Sequence, residues 1–227
     1  MQAISTPFTR SLINHSITEA VAAFARFGVA LPPWACWSPV EWADKGPECD
    51  EIRDCMLGWD VTDFGSGDLP NIGRTLFTVR NGTTRTPGYP KTYAQKYLFD
   101  PEQQRAPAHF HRAKREDICC LAGGTILVQL RATGADDRPN DDPLIVRVDG
   151  IARTIAAGEI IRLRPGQSVC IPPRTVHQFW GEEGTGLTVS SEVSSVCDDW
   201  NDNVFQVDYG VRFHRILEDE PRTHYLC

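Results

Sequence analysis

Hydrophobic positions along this chain repeat at two different periods, and the change falls near residue 70. Ile13, Ile17, Ala20, Val21, Phe24 and Phe27 recur at helical spacing, which predicts an amphipathic helix over residues 11–27 with Gly28 as its stop. An aromatic, proline-rich stretch follows at 31–38. Ser38-Pro39-Val40-Glu41 then supplies an N-cap Ser, Pro at the first helical position and Glu at the third, predicting a short second helix that ends near Gly46. Residues 46–68 are rich in acids and Gly and show no period. They read as a structured loop or lid, because Trp59 and Phe64 need a surface to pack against.

Beyond residue 70 the pattern becomes that of short strands. The expected strands are 75–80, 92–99, 125–131, Leu144–Val148, Ile151–Ile155, 159–163, Ser168–Ile171, 177–180 and 187–193. Asp149-Gly150 between two of them is the strongest hairpin signal in the chain. Asp136 to Asp142 forms a polar loop. So many short strands at even spacing predict a mainly β protein, a sandwich or barrel with an N-terminal helical arm. The expected organisation is one domain, with the arm at 1–70 and the barrel and C-terminal tail at 71–227.

Composition narrows the classes without naming one. The 227 residues are 41% hydrophobic and 23% charged, which suits a globular chain and not a disordered one. A formal charge of −7 without a Lys/Arg cluster argues against a nucleic-acid surface. Apolar runs are too short to cross a bilayer, and residues 1–10 contain no apolar signal core, so a cytoplasmic protein is expected. Eight cysteines without any C-x-x-C pair read as buried, reduced thiols. The helix and its aromatic neighbour offer a candidate dimer surface, making a second copy the expected protein partner.

The chemistry concentrates in His109-Phe110-His111-Arg112-Ala113-Lys114-Arg115-Glu116. On a strand, His109 and His111 point to one face and Phe110 to the other. Glu116 follows after enough chain to round a bend and return a carboxylate to the same point. Gly166 and Pro172 precede His177, which would complete a His₃Glu set for one divalent ion. Imidazole and carboxylate ligands suit Mn, Fe, Co, Ni or Zn. The spacing His109-x-His111-x₄-Glu116-x₆-Gly123, then Gly166-x₅-Pro172-x₄-His177, resembles the two motifs of the cupin superfamily, which implies a jelly-roll barrel. Arg174 departs from it, standing where the second motif commonly has Gly.

A closer resemblance covers nearly the whole chain. Leu31-Pro32-Pro33, the run from Gly46 to Cys55, the run from Leu57 to Asp68, Glu192-Val193-Ser194-Ser195-Val196 followed by Asp198-Asp199, and Glu218-Asp219-Glu220-Pro221 are similar to the D-lyxose isomerase family. That resemblance implies a Mn²⁺-dependent cupin that interconverts aldoses and ketoses, chiefly D-lyxose with D-xylulose and often D-mannose with D-fructose. Such a reaction moves a proton between C1 and C2, so it needs a base that reaches both carbons from one side. Glu192, in the strand-like Thr188-Val189-Ser190-Ser191-Glu192, is the first candidate, its alternative being a surface Glu on the outer face; Asp208 is second. Lys96 shares a face with Ala94 and Leu98 and reads either as an acid or oxygen clamp, or as a snorkelling lysine at the barrel edge. Lys114, between two ligands, is a further catalytic candidate that reads more readily as a solvated turn lysine. Arg174 either anchors a sugar hydroxyl or pairs with an acid in its turn. Phe179, Trp59, Phe64, Phe110 and Trp180 either stack on sugar or pack the core. His15, His214 and His224 fall outside the ligand pattern and read as surface residues.

Three rivals remain at this level. An iron cupin dioxygenase would use the same ligands and an apolar pocket. A sugar-sensing cupin would need a DNA-binding module, and the arm offers no basic recognition helix. A phosphosugar isomerase would need a phosphate anchor, and the cations here are scattered.

Overall fold

The computed structural model describes residues 7–208 and 215–227. The chain opens with helix α1 (Arg10–Arg26), whose Thr9 side chain accepts the Leu12 N–H as N-cap; the backbone turns left-handed at Gly28. Two short helices follow, α2 (Pro39–Ala43) and α3 (Asp50–Asp54). Ser38 and Glu41 form the full capping box that their spacing predicted.

Thirteen strands are present among the described residues: β1 (Gly58–Thr62), β2 (Arg74–Arg80), β3 (Tyr93–Asp100), β4 (His109–His111), β5 (Glu116–Gly123), β6 (Ile126–Ala132), β7 (Leu144–Val148), β8 (Ile151–Ile155), β9 (Ile160–Leu163), β10 (Ser168–Ile171), β11 (Thr175–Gly181), β12 (Thr188–Ser195) and β13 (Asn203–Phe205). They form two antiparallel sheets. The larger runs β1-β2-β3-β12-β5-β10-β7-β8, and the smaller runs β13-β4-β11-β6-β9. This is the mainly β cupin architecture with a helical arm. The β7–β8 hairpin turns through Asp149 and Gly150, both left-handed, as a two-residue turn requires.

Strand alternation separates two cores. Leu76, Leu98, Ile118, Val128, Leu130 and Phe179 point between the sheets. The opposite face of the large sheet, through Trp59, Val61, Phe77, Phe99 and Val189, is covered by Ile13, Ile17 and Phe24 of α1. The acidic block near the C-terminus fastens this helix: Glu218 pairs with Arg10, Asp219 accepts the Ser11 N–H at 2.9 Å, and Glu220 accepts from Asn14 at 2.7 Å. Carboxylates at a helix N-terminus also meet the positive end of its dipole.

Residues 46–68 differ from the expected loop or lid. They contain α3 and strand β1, whose five residues are all buried. Alternation fails as a signal there because neither face of β1 meets solvent. Its outer edge is closed by the C-terminus, where the Cys227 N–H donates to the Trp59 carbonyl at 2.9 Å. The cysteine expectation holds in part. All eight are free thiols, yet only Cys49, Cys55 and Cys120 are buried, and Cys36 is exposed.

Gly123, the glycine of the first motif, shows why that position excludes side chains. Its φ is +91°, and a Cβ there would sit 2.1 Å from the Leu187 carbonyl oxygen. Gly123→Ala is expected to cost about 1–3 kcal/mol. A lowered urea midpoint with unchanged slope would report it, and an unchanged midpoint would contradict it.

Candidate active site

The two sheets bring the predicted ligands together. His109 lies opposite His177 in the β4–β11 pair, and His111 follows on the same face of β4. Their ligand atoms all lie within 4.8 Å of one another. Glu116, the first residue of β5 in the other sheet, closes the group from across the barrel. Its Oε1 is 2.9 Å from His177 Nε2, and its Oε2 is 3.3 Å from His111 Nε2.

The hydrogen bonding fits a metal. His109 Nδ1 lies 2.9 Å from the Pro107 carbonyl and His177 Nδ1 lies 3.0 Å from the Thr175 carbonyl. A carbonyl only accepts, so each Nδ1 carries the proton and each Nε2 presents a lone pair inward. Neither ring nitrogen of buried His111 has a well-formed hydrogen bond. Burial, with the neighbouring His177 and His111, holds His109 well below the ordinary imidazole range. Burial and Lys114 lower His111. Neutral imidazoles beside an ionised carboxylate are the state in which these groups bind a cation. The three histidines thus form a group able to hold a metal ion, with Glu116 adjacent.

Behind the ligands lies a buried acid–base cluster. Lys114 Nζ sits 2.7 Å from Glu116 Oε2 and 2.8 Å from Glu192 Oε1. Lys96 Nζ lies 3.5 Å from Glu192, its cross-strand partner in the β3–β12 pair. Burial works against every charge here, and the partners outweigh it. Glu116 falls well below the usual carboxylate range and Glu192 is lowered, both chiefly through Lys114. Lys114 rises well above the ordinary ammonium range through Glu116 and Glu192, and Lys96 rises through Cys197, Glu192 and Asp199.

Lys114 corrects the sequence expectation. It is no solvated turn residue: only 4% of its surface is exposed. The Asp202 carboxylate accepts the backbone N–H groups of Ala113 and Lys114 at 2.7 and 3.0 Å, and the turn so fixed carries the lysine inward. Lys96 likewise faces the interior and does not snorkel, and Glu192 lies on the inner face. Phe179 lines the cavity wall and packs in the barrel core. Asp208 is exposed in the turn after β13 and is not among the cavity-lining residues. Arg174 is not among them either: it donates to the Gly134 carbonyl and the Asp137 carboxylate, at 3.0 and 2.7 Å. Its φ of +59° explains why a glycine suits that position. His15 is exposed and His224 half-buried against Trp59, while His214 lies outside the described residues.

Sequence reasoning missed Arg74. It is buried, paired with Asp100, and stacked over the Phe179 ring at 4.2 Å in the cavity wall. The signal was strand parity, since Arg74 is in phase with Leu76, and Asp100 with Leu98. The free space among these groups is about 40 Å³, room for about three waters. Phe205 packs on His109 and on Phe64 at the same cavity. A roomier cleft of about 410 Å³ lies on the arm among Trp34, Trp37, Trp42 and Trp59, but no Asp or Glu lines it. The chemistry belongs to the smaller cavity.

The comparisons agree with this geometry. The family model for D-lyxose isomerase matches residues 8–227. The chain belongs to the D-lyxose isomerase family. It is 44% identical to a D-lyxose/D-mannose isomerase of Serratia proteamaculans over 96% of this chain and 95% of that one. It is 40% identical to a D-lyxose/D-mannose isomerase of Escherichia coli O157:H7, with 96% of each covered. Among solved structures it resembles unliganded Cellulomonas parahominis L-ribose isomerase, with TM-score 0.62, 16% identity, and 93% of this chain and 99% of that one covered. Acinetobacter sp. DL28 L-ribose isomerase in complex with L-ribose gives TM-score 0.59 and 15% identity over 92% and 96%. At such identities the likeness establishes the fold. Family membership makes the protein a sugar isomerase, and no described helix is long and apolar enough to cross a membrane.

Proposed function

We propose that the protein interconverts D-lyxose and D-xylulose, and D-mannose and D-fructose, through a cis-enediol, with one Mn²⁺ held by His109, His111, Glu116 and His177. The observation that carries this reading is the pairing of an inward-facing His₃Glu group with Glu192 and two buried lysines in one cavity. The metal, when bound, supplies Lewis acidity for charge that develops on the sugar's O1 and O2.

The chain's own residues handle the protons. Glu192 takes the proton from one carbon and returns it to the neighbouring one. Its low affinity for protons keeps it ionised and available, at some cost in base strength. Lys114 bridges Glu192 and Glu116, so its ammonium lies where charge on a sugar oxygen can be met without reorganisation. Lys96 holds Glu192 from the other side. An apolar wall of Leu76, Leu98 and Phe179 excludes water from the carbanion-like state, while the charged groups accommodate hydroxyls. This mixed lining favours a polyol over the apolar substrate that a dioxygenase would take.

The test is turnover by metal-stripped protein. D-lyxose and D-mannose are each supplied with and without added Mn²⁺, and ketose is followed. Ketose formation that returns only with the metal is expected. Absence of turnover on both sugars with the metal demonstrably bound would sink this reading and return the dioxygenase and sensor readings to the front.

A further inference from the structure

A second line of contacts, partly buried, leads from Lys96 away from Glu192. Lys96 Nζ donates to Cys197 Sγ at 3.0 Å, and the Cys197 thiol donates to Asp199 Oδ1 at 3.3 Å. The backbone of Cys197 is pinned in turn. Its N–H donates to Asn81 Oδ1 at 3.0 Å, and Asn81 Nδ2 donates back to the Cys197 carbonyl at 3.1 Å and to the Cys55 carbonyl at 3.2 Å. Asn81 is buried, and burial pushes the Cys197 thiol up to about 11, so the sulfur stays protonated. A protonated thiol both accepts from an ammonium and donates to a carboxylate, which is the arrangement seen.

Lysine is a poor positioning device by itself. Its ammonium is a point charge on four rotatable bonds, and fixing it costs rotamer entropy. Lys96 also lines two cavities, the candidate active site and a smaller one bordered by Asp60, Thr78, Asn81 and Cys227. Glu192 lines the first of these and Cys197 the second, so the ammonium stands between a partner on each side, and the Cys197 contact limits where it can sit against Glu192. Cys197 also follows the strand that carries Glu192, so one chain segment sets both groups.

We propose that Cys197, held by Asp199 and Asn81, is a positioning residue that sets Lys96 against Glu192 and so aligns the carboxylate that moves the proton. This rests on the isomerase reading. Misplacement of a catalytic group by about 1 Å costs up to about a hundredfold in rate. Cys197→Ala, and Cys197→Val to preserve volume, are therefore expected to lower kcat on D-lyxose about tenfold or more, with KM and metal content unchanged. Cys197→Ser, which still accepts and donates, is expected to recover most of that loss. A merely structural thiol would lower stability without this split between kcat and KM or the rescue by serine. Crystal structures of the alanine and valine variants give a readout independent of turnover. Lys96 Nζ is expected to leave Glu192, and finding it still within 3.5 Å in both, or finding kcat unchanged, overturns the proposal. Inactive wild-type protein would count against the isomerase reading alone, and the Lys96 position in the variants would still decide this one.

Discussion

Replacing Glu192 by Gln is expected to leave the metal bound and lower kcat by about 10²–10⁴-fold, the usual contribution of a positioned general base. In barrier terms this is about 3–5 kcal/mol. Glutamine matches glutamate in shape and keeps an oxygen for Lys114, so the cavity wall stays in place. What it loses is the ability to take up a proton. Metal content is expected to hold, because the Glu192 carboxylate lies beyond Lys114, away from the three histidines able to hold a metal and from Glu116, the fourth ligand proposed above. Glu116→Gln supplies the contrast: its carboxylate sits against two imidazoles, so its loss is expected to lower metal occupancy together with turnover. Metal analysis beside ketose formation separates the two variants. If Glu192→Gln kept wild-type kcat, the base would have to be sought elsewhere, with Lys96, Lys114 and Asp199 the other titratable groups that line the cavity besides Arg74, the histidines and Glu116.

How much of this site was legible in the sequence depended on what each position's direction rests on. Strand parity is local, so His109 and His111 on one face, Lys96 in phase with Leu98, and Glu192 in phase with Ser190 were all readable from alternation. Most of the barrel strands were readable for the same reason, but β5, between β12 and β10 in the large sheet, and β13 were not among those expected. Lys114 was not, because its inward turn is set by Asp202, nearly ninety residues downstream, through two backbone hydrogen bonds. Strand β1 was illegible for a related reason, since helix α1 covers one face and the C-terminal residues close its edge. Both cases depend on distant chain, which no window of sequence contains. Arg174 shows the reverse. Of its two readings, sugar anchoring came from proximity to His177, whereas the left-handed turn aims it at Asp137, the acid pairing that was the other.

Removing the carboxylate of Asp100 is expected to give the largest stability loss of any single substitution considered. Asp100 is wholly buried, Arg74 is 4% exposed, and the two form an ion pair inside the barrel, with the Ser190 hydroxyl donating to the same carboxylate at 2.5 Å. Asp100→Ala leaves the guanidinium desolvated without that counter-charge and strands the serine donor. Breaking a buried pair in this way costs about 3–5 kcal/mol. For a chain of this size each kcal/mol lowers Tm by about 2–4 °C, so a drop of roughly 6–20 °C is expected. The cause is separable from simple loss of packing. A buried cation that has lost its carboxylate predicts that Asp100→Ala combined with Arg74→Met recovers much of the loss, since an apolar side chain in place of the cation removes the penalty. A cavity left by the shortened side chain predicts no recovery, and a Tm within 2 °C of wild type would mean that the pair adds nothing net. The double variant also bears on activity. Arg74 stacks on Phe179 in the cavity wall, so restored stability with a raised KM for sugar would give this buried arginine a place in substrate binding as well as in the fold.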